Sequence, residues 1–371
     1  MNKNPSDSIL ITGASGLLGS HVVKKLVQST EKQIVLLVRT EQQKKIWESF
    51  GLKTIQGDLE NPQFRLEKEL GINLILHIAA IAGDWVDKKM AYAVNVEGTK
   101  YLIREAEKIA CKRFIYVSTI GVYGHEKYFD ASENKRRKTS YIYEKTKLDA
   151  EKFIEWYKKK NNTSMDFIIA RPSSMYGEGD RYIIPAYSKY LREGKMILIG
   201  GGKSLYPIMH ASDAATALVK LLDGNYTNGT GLTAFNLCDD SQISQKEFIE
   251  LIKDQIGVEG ELRSIPYMTA YVASMFFELK GKITHTTPRI FRKRVKYLGS
   301  TRNVSIQKAK EELGFKPEWK PQEGIPEVVK ALEEEEEYKS NGIENTLVNG
   351  ISEKEILEVI PYHLFKQLKD N

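Results

Sequence analysis

Short apolar runs alternate with helix-like stretches through the first half of the chain. The runs are SILITG, QIVLLVR, LKTIQGD, LILHIAA, RFIYVST and DFIIARP, which occupy residues 8–13, 33–39, 52–58, 74–80, 113–119 and 166–172. Between most of them lie amphipathic stretches such as GSHVVKKLVQS. Apolar strands joined by helical crossovers are typical of a parallel sheet that helices cover on both faces. The sequence therefore predicts an α/β fold built on a parallel sheet.

The 371 residues are more than that sheet requires. We expect residues 1–175 to form a Rossmann-type, doubly wound nucleotide-binding domain. A further strand is expected at 229–238, followed by a helix that Ser244 could cap. We therefore expect residues 176–330 to form mainly a smaller α/β substrate lobe, with segments that return to the first sheet. Residues 331–371 predict an exposed, acidic helical extension that could cover the pocket, pack on a neighbour or have no identifiable role.

The composition is typical of a globular protein and does not favour nucleic-acid binding. The chain is 41% hydrophobic and 28% charged, with a formal net charge of +6. The basic residues are dispersed apart from short clusters such as KRRK, so a solvated surface explains them best. Cys111 and Cys238 lie far apart and outside any C-x-x-C pattern. We therefore expect a cytoplasmic protein with neither a disulfide framework nor a metal site.

No membrane-spanning segment is expected. The stretch MNKNPSDSIL lacks the apolar run of a signal peptide, and the chain has no run of eighteen apolar residues. The nearest candidate, IPYMTAYVASMFF at 265–277, is too short to span a bilayer and predicts a helix that lines a pocket or the core. The basic segment FRKRVKYL could touch an anionic membrane, but a solvated helix face is favoured. Peripheral membrane contact is therefore not expected.

A glycine-rich loop, TGASGLLG, follows directly on the first predicted strand. Its glycines are spaced three and three, where the commoner dinucleotide fingerprint has two and then three. Glycines in this position allow a tight turn, close approach of the backbone to a pyrophosphate, and close packing of the following helix. A merely flexible loop is disfavoured because the glycines lie between a strand and a helix. We expect the cofactor to contact Gly13, Ser15, Gly16, Leu17, Leu18 and Gly19.

The end of the second predicted strand bears on the choice of cofactor. Enzymes that use NAD often place an acidic side chain there, on the ribose 2′-hydroxyl, whereas this chain has Arg39, which could pair with a 2′-phosphate. We favour NADP and leave NAD open, because Arg39 could equally be a solvated residue and Glu41 lies nearby. Asp58 is placed to touch the adenine edge, although an ordinary turn aspartate is an equally good interpretation.

The spacing Tyr-x-x-x-Lys occurs twice in SYIYEKTKLDAE, as Tyr141 with Lys145 and as Tyr143 with Lys147. Four residues are about one helical turn, so either spacing sets a phenol beside an ammonium. A helical wheel places Tyr143 and Lys147 on the apolar arc with Ala150, and the other pair on the charged side. The functional pair should therefore be Tyr143 and Lys147.

This pair has a chemical use. A phenol with an ordinary pKa of about 10 is a poor acid–base catalyst at neutral pH, and an adjacent buried cation stabilises the phenolate. We therefore expect Lys147 to lower the pKa of Tyr143, and we expect it also to hold the ribose of a cofactor.

Eight segments occur in an informative order: TGASGLLG, QGD, HIAA, NVEGT, VSTIGVYG, YEKTKLDAE, RPSSMYGEGD and HASDAATAL. The set resembles the extended short-chain dehydrogenase/reductase superfamily, in its NAD(P)-dependent epimerase/dehydratase group. The resemblance runs from about residue 8 to about residue 330 and ends in SIQKAKEELGFKPEWKPQEGI, which is similar to the C-terminal signature of the group.

The resemblance implies roles for individual residues. Tyr143 would exchange the proton beside Lys147, Thr119 would orient the substrate with Ser118 as second choice, and Asn95 would support the site. Singly, each has an ordinary alternative, such as a strand-end hydroxyl for Thr119 or a helix cap for Asn95. The cofactor is also expected to contact Leu59, Ala79, Ala80 and Pro172.

Two positions depart from the nucleotide-sugar enzymes of this superfamily. Ser174 stands where those enzymes usually carry a phosphate-binding asparagine, and Tyr206 stands where they often carry an arginine. A diphosphate needs charge-assisted partners, and both are missing here. The chain is therefore similar to the dihydroflavonol-reductase and 3β-hydroxysteroid-dehydrogenase branch. We predict hydride transfer at a ketone or secondary alcohol of an apolar or modestly polar small molecule, with Ser174, Tyr176 and Tyr206 as candidate substrate contacts.

Two other functions stay open. One is a nucleotide-sugar epimerase or dehydratase with tightly bound NAD, which returns the hydride within one catalytic cycle. The other is an NADP-binding regulator without catalysis, which the retention of Tyr143 and Lys147 disfavours. A homodimer is expected by analogy with the superfamily.

Overall fold

The fold is that of a computed structural model, which describes residues 7–83, 85–139, 141–224, 226–227, 229–284, 286, 288, 290–341 and 347–370. Residues 1–6, where no signal peptide is expected, and residues 342–346 of the predicted extension lie outside the described residues. Among the described residues, no helix is both long and apolar enough to cross a membrane.

Strands occur in both halves of the chain, and most of those in the second half are short. They are β1 Ser8–Thr12, β2 Gln33–Val38, β3 Lys53–Gln56, β4 Ile72–His77, β5 Arg113–Val117, β6 Tyr128–Ala131, β7 Asp166–Pro172, β8 Ser174–Tyr176, β9 Ile197–Ile199, β10 Ile208–His210, β11 Leu232–Leu237, β12 Arg263–Ile265, β13 Arg302–Val304, β14 Leu347–Val348 and β15 Ile351–Ser352.

Helices connect the strands along the whole chain. They are α1 Leu17–Ser29, α2 Glu41–Ser49, α3 Lys88–Tyr92, α4 Thr99–Lys108, α5 Ile142–Asn161, α6 Ile183–Arg192, α7 Ala211–Asp223, α8 Gln245–Gln255, α9 Tyr267–Thr284, α10 Arg292–Gly299, α11 Gln307–Leu313, α12 Pro321–Asn341, α13 Glu353–Val359 and α14 Tyr362–Asp370.

The central sheet has seven parallel strands in the order β11-β7-β5-β4-β1-β2-β3. The six apolar runs and the segment at 229–238 supply its strands, so the predicted doubly wound sheet is confirmed. The chain runs from β1 outward to β3 and then crosses to β4 on the other side of β1. The strand order therefore reverses beside β1, and at such a point the carboxyl ends of parallel strands leave a crevice for a ligand.

Both faces of the sheet are covered, which explains the nearly continuous apolar strands. Ile9 and Ile11 of β1 face a core shared with α1 and α7, whereas Leu10 faces a core shared with α4 and α5. All three side chains are fully buried.

A separate core lies in the second half of the chain, in the region predicted to form the substrate lobe. Ile184, Phe248, Ile325 and Val328 bring α6, α8 and α12 together around β8 and β10. The expected cap at Ser244 is confirmed: its side chain accepts from the backbone of Glu247, which returns the bond in a capping box.

The C-terminal extension packs on the first domain. Phe365 of α14 joins the core beneath α1, and its ring meets that of Phe50 at 6.3 Å between centroids. The His363 ring stacks on His21 of α1 at 4.6 Å. Asn349 donates to the carbonyl of Ser49 at the end of α2, at 2.8 Å. The extension therefore covers the outer side of α1 and α2.

Helix α9 corrects one expectation. The segment at 265–277 was expected to line a pocket or the core, yet Met268, Met275 and Phe276 are 64%, 49% and 70% exposed. Sequence hydrophobicity alone does not tell which face of an apolar helix meets a neighbour.

Candidate active site

The loop after β1 is shaped by its glycines. Gly13 has a φ of 78°, in the left-handed region, and a Cβ there would lie 2.8 Å from the backbone nitrogen of Ala79. Gly16 is the N-cap of α1 and is exposed. A Cβ on Gly19 would lie 2.0 Å from the carbonyl oxygen of Gly13, so the helix can approach the turn only without a side chain here. The first-turn amides of α1 are thereby left available at the edge of the sheet.

Hydrogen bonds connect this loop to the end of β4, and the sequence did not predict them. The hydroxyl of Thr12 accepts from the backbone nitrogen of Ala79 at 3.1 Å and contacts His77 Nδ1 at 2.7 Å. His77 Nε2 contacts the hydroxyl of Thr99 at 2.9 Å, and that hydroxyl donates to the carbonyl of Asn95. Burial lowers the pKa of His77 to about 3, so the ring is neutral. Its Nε2–H donates to the hydroxyl of Thr99, and its Nδ1 accepts from the hydroxyl of Thr12. The HIAA motif contained this histidine, but nothing in it showed the partners.

The residues predicted near the adenosine lie along the same edge. Arg39 follows β2 directly and is exposed, and its backbone nitrogen donates to Gln43 at 2.9 Å. Asp58 accepts from the backbone nitrogen of Glu60 at 2.9 Å, which is the turn role that the sequence left open. Leu59 is a buried core side chain, so it can offer a ligand only its backbone. The same holds for Leu18, whereas Ser15, Leu17 and Ala80 are partly exposed.

Helix α5 separates the two tyrosine–lysine frames. It begins after Tyr141, which is its N-cap and has extended backbone. Lys145 lies at the surface and pairs with Asp149 at 3.0 Å. Lys147 is 2% exposed and Tyr143 is half-buried, so the structure turns this second pair toward the sheet.

Lys147 is fixed at the end of β5. Its Nζ donates to the carbonyl of Val117 at 2.7 Å and lies 4.8 Å from the ring centroid of Tyr116. Burial lowers the pKa of Lys147 to about 7, against the opposing charge of Glu151. The contact fixes this turn of α5 at the end of β5, and Tyr143 lies one helical turn before Lys147.

Asn95 links the loop after β4 to the same helix. Its side chain accepts from the backbone nitrogen of Ile81 at 2.8 Å and donates to the hydroxyl of Thr146 at 2.9 Å. That hydroxyl in turn donates to the carbonyl of Tyr143 at 2.6 Å. Asn95 lies in a π-helical segment, Ala93–Gly98, and such segments are frequent at functional sites. The segment therefore holds the backbone of Tyr143 in place.

The two hydroxyl residues after β5 differ in their surroundings. Thr119 is partly exposed, and its hydroxyl oxygen accepts from the backbone nitrogen of Gly121 at 3.1 Å, which leaves its own hydrogen free to donate. Ser118 is 2% exposed, and its hydroxyl has no hydrogen-bond partner among the residues that the structure describes. Of these two hydroxyl residues, Thr119 is therefore the one with a partly exposed side chain.

The acidity of Tyr143 differs from the expectation. Burial, followed by the charge of Glu144, raises the pKa of Tyr143 well above its ordinary value. Burial, the charge of Glu151 and an interaction with Tyr143 raise the pKa of Tyr116. The Tyr143–Lys147 spacing did not show how far burial opposes ionisation of Tyr143, and the pairing of these two side chains in function stays a prediction. In this structure Tyr143 is protonated at neutral pH.

A buried polar cluster next to Tyr143 was also missed. Glu144 accepts from His125 Nε2 at 3.0 Å and pairs with Lys293 of α10 at 2.9 Å. Burial alone would raise the pKa of Glu144, but His125 and Lys293 outweigh it and lower that pKa to about 2. Arg302 donates to His125 Nδ1 at 3.2 Å. The cluster connects α10 to Glu144, the residue that follows Tyr143. In the sequence, the only sign of this cluster was the position of Glu144 within YEKTKLDAE.

The candidate substrate residues are not all placed alike. Ser174 is partly exposed and hydrogen-bonds to the hydroxyl of Tyr297. Tyr206 is 4% exposed and packs among aromatic rings, including Phe248 at 5.0 Å, so it belongs to the core of the lobe. Tyr176 is fully buried against His210. Ser174 is therefore the best placed of the three, and Pro172 lies buried at the end of β7 beside it.

Residues 9–238 match the NAD dependent epimerase/dehydratase family. The chain belongs to this family. It is accordingly an NAD(P)-dependent enzyme, and the resemblance drawn from its motifs is confirmed.

Curated relatives are distant but extend over most of the chain. It is 25% identical over 342 residues to 3beta-hydroxysteroid-dehydrogenase/decarboxylase isoform 2 of Arabidopsis thaliana, across 85% of this chain and 60% of that longer protein. It is 23% identical over 320 residues to 4-hydroxy-2-methyl-3-oxo-4-farnesyl-3,4-dihydroquinoline-1-oxide ketoreductase of Stigmatella aurantiaca, across 85% of this chain and 93% of that one.

A solved structure supports the same fold. The UDP-glucuronic acid 4-epimerase of Bacillus cereus, in complex with UDP-glucuronic acid and NAD, matches with a TM-score of 0.67 at 21% identity. The match covers 88% of this chain and 99% of that one. The overall fold is therefore shared with this epimerase.

Proposed function

We propose that the chain is an NADP-preferring reductase or dehydrogenase. It would transfer a hydride between nicotinamide and a ketone or secondary alcohol carbon of an apolar or modestly polar small molecule. The observation that carries the proposal is the buried Lys147, bonded to the carbonyl of Val117 one helical turn from Tyr143.

The residues at the carboxyl edge of the sheet fit a dinucleotide. Gly13 and Gly19 leave no room for side chains where α1 meets the turn, so the backbone forms the anion-binding surface. The nicotinamide, when bound, supplies or accepts the hydride. Lys147 would hold the ribose from the end of β5, and Asn95 keeps the loop after β4 at the right distance from α5.

The proton needs a donor on the substrate oxygen. Tyr143 is protonated at neutral pH, as a phenol with an ordinary pKa would also be, and a protonated phenol is the form that carbonyl reduction requires. Thr119 would donate its free hydroxyl hydrogen to the same oxygen and orient it.

The side chains around Ser174 bear on the class of substrate. Ser174 contacts Tyr297, and the ring of Tyr297 also meets Tyr206 at 5.8 Å, so this wall is aromatic. Lys293 is already paired with Glu144. The two curated relatives above are named for a hydroxysteroid and a farnesyl quinoline, both largely apolar compounds. A compact apolar ketone therefore suits the wall better than a diphosphate.

Nucleotide-sugar epimerisation is the second candidate, because the family and the structural neighbour include epimerases. The two are separated by mixing the purified enzyme with NADPH and a panel of apolar ketones, and separately with UDP-glucose. Consumption of NADPH in proportion to ketone supports the proposal. Conversion of UDP-glucose to its epimer without net NADPH consumption overturns it. A homodimer and a cytoplasmic location stay predictions.

Arg39 tests the cofactor preference. Replacing it with aspartate, Arg39→Asp, should raise the KM for NADPH about tenfold or more and lower the KM for NADH, because a carboxylate repels the 2′-phosphate and accepts from a 2′-hydroxyl. Steady-state kinetics with both cofactors measure the change. Lys44→Asp alters the charge of α2 instead and serves as the control. Equal KM values for the two cofactors in the unaltered enzyme would remove NADP from the proposal.

The glycine loop tests the cofactor surface itself. Gly19→Ala places a Cβ 2.0 Å from a backbone oxygen that cannot move freely, so the fold should lose about 2 kcal/mol or more. The Cβ of Gly16→Ala meets its nearest neighbour at 3.4 Å, an ordinary contact, so this variant should fold but bind NADPH at least about tenfold more weakly. Thermal unfolding and NADPH fluorescence titration separate the two effects. Unchanged NADPH binding by Gly16→Ala would argue against a pyrophosphate at this loop.

A further inference from the structure

Helix α9 turns a row of large apolar side chains outward. Their positions are separated by four, three, one, three and four residues, which places them on one stripe of the helix. Their exposed fractions are 64% for Met268, 48% for Val272, 49% for Met275, 70% for Phe276, 59% for Leu279 and 71% for Ile283. Single exposed apolar residues are normal on a protein surface, but a continuous stripe marks a contact site.

The opposite face of α9 is packed, which fixes the direction of the stripe. Ala270 and Ser274 are fully buried. Ala270 lies in a small core with Val295 of α10 and Ile199 of β9. At the end of the helix, Glu278 pairs with Arg292 of α10 at 2.7 Å. The stripe therefore faces away from this small core, although Phe277 on the packed side of α9 is itself 43% exposed.

The segment that carries the stripe is rich in cations, although Lys293 is buried against Glu144 and Arg292 pairs with Glu278. Residues 262–300 contain eight lysines and arginines and one acidic residue, Glu278, a formal charge of +7, so the other 332 residues of the chain sum to −1. Lys280 and Arg292 of this segment are exposed. A second copy of the same surface would be repelled, whereas an anionic surface would be attracted. The charge thus selects among the occupants that an apolar stripe alone would allow.

We propose that the outward face of α9 docks on the surface of an anionic lipid bilayer. The apolar stripe would enter the boundary between headgroups and acyl chains, and the exposed cations Lys280 and Arg292 would lie against lipid phosphates. Trp85 is 49% exposed and packs on Phe291 at 5.8 Å, which adds an aromatic residue of the kind enriched at membrane interfaces. From the sequence alone this contact is not expected, because the apolar residues of α9 could all have been core.

The docking face lies next to the site. Lys293 of α10 pairs with Glu144, the residue after Tyr143, so the hairpin of α9 and α10 is held against the catalytic helix. An apolar substrate could then pass from the bilayer to the site without crossing water. That delivery rests on the proposed function, whereas the docking itself does not.

Vesicle sedimentation tests the docking. The full chain would be mixed with vesicles of equal amounts of phosphatidylcholine and phosphatidylglycerol, and separately with vesicles of phosphatidylcholine alone. The partition coefficient should be at least about tenfold higher for the anionic vesicles and should fall as salt is added. Full-length protein that stays in the supernatant with both kinds of vesicle overturns the proposal.

Variants assign the binding to α9. Phe276→Gln combined with Leu279→Gln should lower the partition coefficient by about tenfold or more, because both side chains lie in the centre of the stripe. Phe129→Gln removes a side chain that is 58% exposed on β6 and should change nothing. Circular dichroism melting confirms that each variant is folded. Unchanged binding by the double variant contradicts the proposal, and so does a dimer that the double variant alone dissociates.

The same proteins keep the two proposals apart. The double variant should reduce a water-soluble ketone with NADPH at the rate of the unaltered enzyme. Vesicle binding without ketone reduction would support the docking and count against the proposed function. Ketone reduction without vesicle binding would do the reverse.

Discussion

The Tyr143→Phe enzyme should retain its fold and its affinity for NADPH but lose about a thousandfold of kcat with a ketone substrate. The substitution removes the hydroxyl that donates the proton and leaves the ring, and a positioned general acid typically contributes between about a hundredfold and ten-thousandfold. Since the Tyr143 hydroxyl has no hydrogen-bond partner among the residues that the structure describes and phenylalanine keeps the ring, the substitution should cost little stability. Single-turnover kinetics at saturating NADPH measure the chemical step, and fluorescence titration measures the binding.

Tyr141→Phe is the matched control for this experiment. The same atom is removed two residues earlier, at the N-cap of α5. The activity of this variant should stay within about twofold of the unaltered enzyme, because Tyr141 lies before the first helical turn and its frame partner Lys145 is at the surface. If Tyr143→Phe kept full activity while Tyr141→Phe lost it, the assignment of the frame would be wrong. If neither variant affected any function of the protein, the non-catalytic regulator would be favoured.

Much of the fold could be predicted because its signals are local. Each run of the central sheet carried its own apolar pattern, and Gly13 and Gly19 marked the turn that only glycine can make. The choice of Lys147 over Lys145 followed from helical periodicity alone. Patterns that repeat within one element can be read from that element.

The rest depended on distant partners. Glu144 and Lys293 are 149 positions apart in the chain, and only the folded lobe brings them to 2.9 Å. The raised pKa of Tyr143 comes from the surroundings that all neighbouring elements create together, so the spacing to Lys147 could not reveal it. The sequence also did not predict that Tyr206 is buried or that α9 exposes an apolar stripe. Both depend on which distant element an apolar side chain packs against.

Replacing Lys147 with methionine should abolish activity and at the same time stabilise the fold. Methionine keeps an unbranched chain of similar length and removes the charge. Burial lowers the pKa of Lys147 to about 7, so near neutral pH the folded chain must desolvate an ammonium group. The hydrogen bond to Val117 and the ring of Tyr116 offset this cost only in part. We expect a gain of about 2 kcal/mol in the free energy of unfolding near pH 7.

The pH dependence of stability is a second test of whether Lys147→Met stabilises the fold. Below about pH 7 the lysine is protonated in both the folded and the unfolded chain, so the full cost of burying the ammonium group is present. Between about pH 7 and the ordinary lysine pKa of about 10.4, Lys147 is neutral in the folded chain while it is still protonated in the unfolded chain. The cost shrinks over that window, so the stability of the unaltered protein should approach that of Lys147→Met as the pH rises. Urea unfolding of both proteins at several pH values measures the gap, and Lys145→Met, at the surface, should show none.

A lysine that lowers stability yet is required for turnover is retained for chemistry rather than for packing. If Lys147→Met were instead less stable than the unaltered protein at neutral pH, the ammonium group would be a net structural contact. The loss of activity could then be a consequence of a displaced α5, and the buried amine would no longer carry the proposed function. The two outcomes differ in the sign of one measured free energy, so the experiment decides between a catalytic and a structural lysine.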